Sequence, residues 1–372
     1  MAKTALLHIG TNKTGSTSIQ EALFRGQELG TISPVRYPMH AGEKHSHTLM
    51  AMLYLPYERF PPGLRSGFHV SDAGVELRRQ YRSKFFRELH SPGNVILSSE
   101  NFALFSSSEV ARLRKDLEAA GFIKFTIVLY VRDPANYYLS RIQENLKMSN
   151  QVWDPISFHY RFREIAETWE GTFPDELIVR HYRDDPEYDV VRDFSALLLE
   201  NLGVELPRIR ARANRTISAE GMEILQRYRS AFWSDANDVF TPDTTSLVDF
   251  LKKPANESVR QTVPVLKPDV SARIRANHMA DAEFLRDRYG VDLKLHGVDE
   301  NVLSHFSRSP RVDEILQDLD SEVVTQLLLR LAKSGLDRAP EERTIANRVV
   351  ARISRGLSMR SRLIGARSRR PR

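Results

Sequence analysis

The stretch Leu6-Leu7-His8-Ile9-Gly10-Thr11-Asn12-Lys13-Thr14-Gly15-Ser16-Thr17-Ser18-Ile19-Gln20 decides the fold. An apolar run stops at a glycine, a short loop of small polar residues follows, and a helical pattern starts at about Ser16 and runs to Phe24. This is a strand–loop–helix unit, in which backbone N–H groups and the helix dipole converge on an anion. Gly10, Gly15 and the hydroxyl at Thr17 nearly reproduce the spacing of the nucleotide-binding P-loop, G-x-x-x-x-G-K-[ST]. Ser16 stands where that loop has its lysine, and the loop's only lysine, Lys13, comes before the second glycine. The unit reads as built for a phosphate, but not for the usual triphosphate with magnesium.

Working outward, four runs read as buried strands: Thr4–Ile9, Asn94–Ser99, Lys124–Val131 and Glu176–Tyr182. Each is short, apolar and rich in β-branched residues, and helical patterns lie between them. That alternation predicts an α/β fold of three layers, a central parallel sheet covered by helices on both faces. The segment Ser33–Phe68 is irregular and rich in proline, glycine, histidine and tyrosine, and is expected to line a site or form a lid. Helices are expected over Val191–Leu202 and Ala219–Trp233, and a last periodic stretch over Val270–Tyr289. No internal repeat is present.

Composition narrows the function classes. The chain has 372 residues, 41% of them hydrophobic and 27% charged, as expected of a globular enzyme. It has no cysteine, which excludes disulfides, thiolate metal sites and a cysteine nucleophile. No signal peptide precedes the first strand and no apolar run is long enough to span a membrane, so a cytoplasmic location is expected. Ten arginines and no acidic residue fall between Arg343 and Arg372; removing those ten charges from the net +6 leaves about −4 for the rest. A mildly acidic body argues against a nucleic-acid partner. The Arg-rich tail reads as a solvated, disordered end, with docking to a membrane surface as the sharper alternative.

A second segment, Val128-Leu129-Tyr130-Val131-Arg132-Asp133-Pro134 followed by Tyr137-Tyr138-Leu139-Ser140, places Arg132 at the end of a strand. Asp133 is a good N-cap and Pro134 a good first helical residue. Ser140 lies two turns further on, sharing a helix face with Gln143, Glu144 and Lys147. Arginine and serine so placed can hold a second phosphate from two sides; the plain alternative is a surface arginine paired with Asp133.

Together the two segments resemble the sulfotransferase family, whose donor is 3′-phosphoadenosine 5′-phosphosulfate (PAPS). Lys13-Thr14-Gly15-Ser16-Thr17-Ser18 is similar to the family's 5′-phosphosulfate loop, and Arg132 with Ser140 to its 3′-phosphate site. Further similarity to bacterial members appears at Ser98-Ser99-Glu100, Ile178-Val179-Arg180 and Asn214-Arg215-Thr216-Ile217-Ser218. The resemblance implies a P-loop NTPase-like fold, no metal, and transfer of a sulfuryl group to an acceptor hydroxyl or amine, leaving adenosine 3′,5′-bisphosphate (PAP). It favours a carbohydrate or glycolipid acceptor. Its extent sets the expected organisation: a sulfotransferase domain over 1–290, a helical C-terminal extension over 291–353 and the basic tail over 354–372.

Within that frame Lys13 is the expected catalyst, meeting the charge that grows on the departing oxygen, while Ser16 and Thr17 hold the 5′-phosphate. The acceptor needs a base. Glu100 is favoured, at the C-terminal end of its strand, where α/β folds assemble their sites. His47, in Lys44-His45-Ser46-His47, is the rival. His8 lies inside a strand and reads as structural. Arg215 is expected to close over the 3′-phosphate, as a basic loop does in related enzymes, and Arg180 and Arg183 to meet an anionic acceptor or to pair with Asp184 or Asp185. Two rival functions stand beside this one: a P-loop kinase or NTPase using Mg-ATP, and a non-catalytic nucleotide- or glycan-binding protein.

Overall fold

Alternation along the strands sorts the core into two layers. In a computed structural model, which describes residues 2–39, 45–65, 72–208, 216–252, 261–295 and 309–333, four strands form one sheet: β1 (Lys3–His8), β2 (Val95–Ser98), β3 (Phe122–Arg132) and β4 (Leu177–Tyr182). They are all parallel, in the order β2-β1-β3-β4. Ala5, Leu7, Leu97, Ile127 and Leu129 point to one face and pack with Phe85, Phe102, Leu113 and Trp169 from the helices over it. Leu6, Ile96, Val128 and Tyr130 point to the other and meet Ile19, Leu23, Phe194 and Leu198. Side chains at i and i+2 share a face, so a sheet covered on both sides needs apolar residues at nearly every position, as the middle of β1, β2 and β3 has, while the edge strand β4 is mostly half-buried and ends in Arg180-His181-Tyr182. The result is a three-layer α/β/α arrangement.

The strand register puts His8, Ser98, Arg132 and Tyr182 along one edge of the sheet, the C-terminal one, since His8 pairs with Ser98 and Arg132 with Tyr182. β1 is followed directly by the loop and the helix Ser16–Leu29, and β3 by the helix Pro134–Asn145, whose N-cap Asp133 accepts from the N–H groups of Ala135 and Asn136 at 2.9 and 3.0 Å. Both junctions match the reading from sequence.

Two stretches differ from it. The segment expected as lid or site lining, Ser33–Phe68, instead holds the helix Thr48–Tyr54, with Leu49, Met50, Ala51 and Tyr54 buried in the core. Its apolar run outweighs the surrounding prolines and glycines; residues 40–44 and 66–68 lie outside the described residues. The periodic stretch Val270–Tyr289 is two helices, Pro268–Ala276 and Met279–Tyr289. The break falls at Asn277, whose side-chain amide donates to the carbonyls of Pro155, Ile156 and Phe158 at 3.0, 3.0 and 3.1 Å.

A second hydrophobic cluster joins Tyr138, Ile142 and Leu146 to Leu225, Leu247, Val270, Ile274, Ile315 and Leu327. It takes in residues on both sides of position 290, whereas the helix Met279–Tyr289 packs in the first cluster, through Leu285. The tail from 354 lies outside the described residues. Among the described residues no helix is long and apolar enough to cross a membrane.

Candidate functional site

The loop after β1 is held against β3 before it turns. Ile9 N–H donates to Val128 O (2.9 Å), Thr11 N–H to Tyr130 O (2.9 Å) and Tyr130 N–H to Gly10 O (2.7 Å). Gly10 has φ +101°, and a side chain there would meet the Glu100 Cα at 3.1 Å, so glycine is what lets Glu100 approach the loop. Gly15, at φ +75°, is the N-cap of the following helix and offers no side chain to cap it. The N–H groups of Ser18 and Ile19 bond to Gly15 O at 3.0 and 3.1 Å; those of Gly15, Ser16 and Thr17 have no acceptor among the described residues. An open helix N-terminus of this kind carries partial positive charge and free donors.

These groups border a cavity of about 670 Å³. Of the residues named from the sequence, Lys13, Gly15, Ser16, Thr17, Ser18, Glu100, Arg132 and Ser140 line it. The two segments, more than a hundred residues apart in the chain, therefore meet at one place. A smaller cavity of about 310 Å³ shares Arg132, Ser140, Gln143 and Thr216 with it and adds Asn136, Asp184 and Val263.

Thr14 and His47 do not line the cavity, and Arg215 is not among the described residues. Thr14 is buried and its hydroxyl donates to Thr11 O at 2.6 Å, so it closes the loop's own turn. His47 corrects the expectation of a rival base. Its ring is fully buried: Nδ1 accepts from Ser98 N–H at 3.0 Å, which leaves Nε2 to donate to Pro38 O at 2.8 Å. An imidazole committed to backbone on both nitrogens ties Pro38 to β2 and has nothing left for an acceptor hydroxyl. Arg215 and Asn214 lie outside the described residues; of that motif Thr216 and Ile217 line the cavity, and Ser218 caps its helix through a 3.1 Å bond from Gly221 N–H.

Arg132 does more than border the cavity. Its Nη1 donates to Lys13 O at 2.9 Å, its Nε to Asp184 Oδ2 at 2.8 Å, and its Nη2 pairs with the other Asp184 oxygen. The guanidinium lies over the Tyr182 ring, 5.3 Å from its centroid. Asp133, the partner considered from sequence, binds Arg275 instead, at 2.9 Å. Arg180 and Arg183 do not line either cavity: Arg180 stands 3.8 Å from Asp193 and Arg183 lies over the Tyr188 ring. His8 is fully buried, 2.7 Å from Ser98 Oγ, and burial pushes its pKa down to about 3.

Lys13 Nζ reaches Glu144 Oε2 at 3.0 Å, and Lys147 Nζ donates to the same oxygen at 2.5 Å. Burial draws the Lys13 ammonium below its usual pKa, a trend Glu144 opposes and Lys147 and Arg141 reinforce. Burial alone would raise the Glu144 carboxyl, but the two ammonium groups hold it well below the usual carboxylate range. Lys252, at the end of the helix Pro242–Leu251, also lines the cavity, its pKa lowered by burial and then by Lys147. Around the cavity, four cations thus stand against two carboxylates, Glu100 and Glu144. Glu100 Oε2 accepts from Gln20 Nε2 at 3.0 Å, which fixes one oxygen and leaves the other open.

Sequence reasoning grouped Glu144 and Lys147 with Ser140 by helical spacing but gave them no role. Lys252 carried no sequence signal, because it arrives by helix packing. Among the described residues no group of three or more histidine, aspartate or glutamate side chains is placed to hold a metal ion. The chain matches no family model, no curated protein and no solved structure.

Proposed function

We propose that this chain is a PAPS-dependent sulfotransferase with a P-loop NTPase-like fold. The observation that carries the reading is the meeting of the open helix N-terminus at Gly15–Thr17 with Arg132 and Ser140 around one cation-rich cavity. PAPS has two anionic ends, and the cavity lining offers Lys13, Lys147 and Lys252 together with Arg132 to receive them. The loop N–H groups, Ser16 and Thr17 suit the 5′-phosphosulfate, and Arg132 and Ser140 the 3′-phosphate.

In the reaction the acceptor oxygen bonds to sulfur while the bond from sulfur to the bridging oxygen breaks. The acceptor proton passes to Glu100, the carboxylate at the C-terminal edge of the sheet. The electron pair stays on the bridging oxygen, where Lys13 supplies a full positive charge. A carbohydrate or glycolipid acceptor rests on the resemblance stated above.

A Mg-ATP enzyme fits less well. It needs a lysine at position 16 and a carboxylate ending a strand of the site to hold magnesium. Here position 16 is serine, and β3 ends in Arg132, whose charge opposes a cation. A screen for transfer of labelled sulfate from PAPS to candidate acceptors, run with wild type and Glu100→Gln, tests the reading. Transfer by wild type, with loss in Glu100→Gln while PAP binding is kept, is the expected result. Labelled phosphate transfer from Mg-ATP in place of sulfate transfer would overturn it, and full activity in Glu100→Gln would move the base elsewhere.

A further inference from the structure

Glu144 is an unexpected residue in a cavity suited to anions. A carboxylate there repels such a ligand, yet it lines the cavity and joins two lysines from different elements. Lys13 comes from the loop and Lys147 from the turn after the helix Pro134–Asn145, and both ammonium groups converge on Glu144 Oε2 at 3.0 and 2.5 Å. The three side chains are only 26%, 32% and 21% exposed for Lys13, Glu144 and Lys147, so this is not a solvated surface pair of negligible worth.

We propose that Glu144 is a positioning residue for Lys13: its carboxylate competes with the anionic ligand for the Lys13 ammonium and fixes that ammonium's place and charge. The inference rests on the sulfotransferase reading only for the identity of the ligand. Lys13 is the cation at the lip of the loop, and Glu144 Oε2 is its ion-pair partner. When a phosphate or phosphosulfate enters the loop, Lys13 exchanges one anion for another, and Lys147 stays behind on Glu144. The carboxylate is thus a built-in placeholder. It keeps four cations from repelling one another in a half-buried space, and it lowers affinity for every anion by the same field.

Two effects of opposite sign follow. Replacing Glu144 by glutamine removes a negative charge from the cavity wall, so an anion binds more tightly at neutral pH. The same change removes the partner that keeps Lys13 protonated. The other charges around Lys13 are Lys147 and Arg141 from the same helix and its following turn, Lys252 from the end of the helix Pro242–Leu251, Arg132 from β3 on the Lys13 carbonyl, and Glu100 across the cavity. Four of these five are cations and oppose protonation. Binding therefore fails at a lower pH in the variant than in wild type. A residue that only supports the fold gives neither a gain in affinity nor this crossover.

The test is calorimetry of PAP and of inorganic pyrophosphate, each with wild type and Glu144→Gln, between pH 6.5 and 9.5, without added metal. At pH 7 the variant is expected to bind both probes about tenfold more tightly, from the loss of one nearby like charge, and to lose them at lower pH. Equal or weaker binding at pH 7, with cooperative melting preserved, overturns the proposal. If the variant does not fold, lysine side-chain NMR on the wild type decides: pyrophosphate must raise the titration of Lys13, assigned with Lys13→Arg, and an unchanged titration overturns it. The two readings fail separately. Wild type that takes pyrophosphate but not PAP sinks the sulfotransferase reading alone, whereas PAP binding without a gain in Glu144→Gln sinks the Glu144 inference alone.

Discussion

Replacing Gly15 by alanine tests the geometry of the loop at its tightest point. Gly15 sits at φ +75°, in the left-handed region, and an added Cβ would lie 2.7 Å from Val190 Cγ1 and 3.1 Å from Tyr182 Cε2. The backbone conformation costs an alanine about 1–2 kcal/mol. The contact with Val190, which is buried at the start of the helix Val190–Leu202, is overpacking worth roughly 1–3 kcal/mol. The sum is a destabilisation of about 2–5 kcal/mol, which for a chain of this size corresponds to roughly 3–6 °C in Tm. Because the loop must move away from Val190 to relieve the contact, its N–H groups lose their common aim and anion binding falls as well. Thermal and urea denaturation, with calorimetry of pyrophosphate, measure both effects. Val190→Ala makes room for the new methyl, so the double variant should be less destabilised than the two single changes added, by about 1 kcal/mol or more. A Gly15→Ala protein that melts within about 0.5 kcal/mol of wild type refutes the close approach and with it the account of the loop.

Three further outcomes are expected. Arg132→Ala removes the guanidinium proposed to hold the 3′-phosphate and leaves Asp184 with only the Asn136 amide among the described residues, so PAP affinity falls about 30–150-fold, the equivalent of 2–3 kcal/mol; affinity within threefold of wild type would show that the 3′-phosphate site is misplaced. His47→Gln loses two backbone bonds at once and costs about 2–3 kcal/mol of stability while turnover per folded molecule is kept; lost turnover in a protein of unchanged stability would restore His47 as a base. The third concerns acid. Burial holds His8 at about 3, and burial first, only partly offset by the bond to Ile274 O, holds His278 at about 4. Both are depressed in the folded state, so the unfolded chain binds more protons. Their contribution is complete above about pH 6.5 and is lost as pH falls, toward about 4 for His278 and about 3 for His8, with a slope near pH 5 of about 2.5 kcal/mol per pH unit for the pair. Flat stability between pH 6.5 and 5 would contradict the burial of both rings.

The sheet was legible because a doubly covered parallel strand must be apolar on both faces, and the four expected strands match β1 to β4 closely. The helix starts at Pro134 and Ala219 were legible from Asp133 and Ser218, which accept from first-turn N–H groups; the helix expected from Val191 starts one residue earlier, behind Asp189, whose side chain accepts from the N–H groups of Val191 and Arg192. The core helix Thr48–Tyr54 was missed because the prolines and histidines around it outweighed its seven residues. The break at Asn277 was missed because it depends on three carbonyls of a distant loop, Pro155 to Phe158, rather than on a glycine or proline. In the site, Lys13, Ser16, Arg132 and Ser140 were legible from loop spacing and strand ends. What spacing could not supply was pairing across the fold: Arg132 with Asp184 rather than Asp133, Lys13 with Glu144, His47 with Ser98. Arg229 makes the same point, a fully buried arginine that donates to the carbonyls of Val239, Met148 and Ala236 and has no sequence signature at all.

The cavity between the Gly15 loop and Arg132 is proposed to receive a nucleotide with phosphates at both 3′ and 5′ positions. Calorimetry of PAP, adenosine 5′-monophosphate and Mg-ATP against the same protein tests it most directly. PAP is expected to bind at one site without metal, adenosine 5′-monophosphate far more weakly for want of the 3′-phosphate proposed to meet Arg132, and Mg-ATP less tightly than PAP. Tight binding of Mg-ATP with none of PAP, or equal affinity for PAP and adenosine 5′-monophosphate, would contradict it.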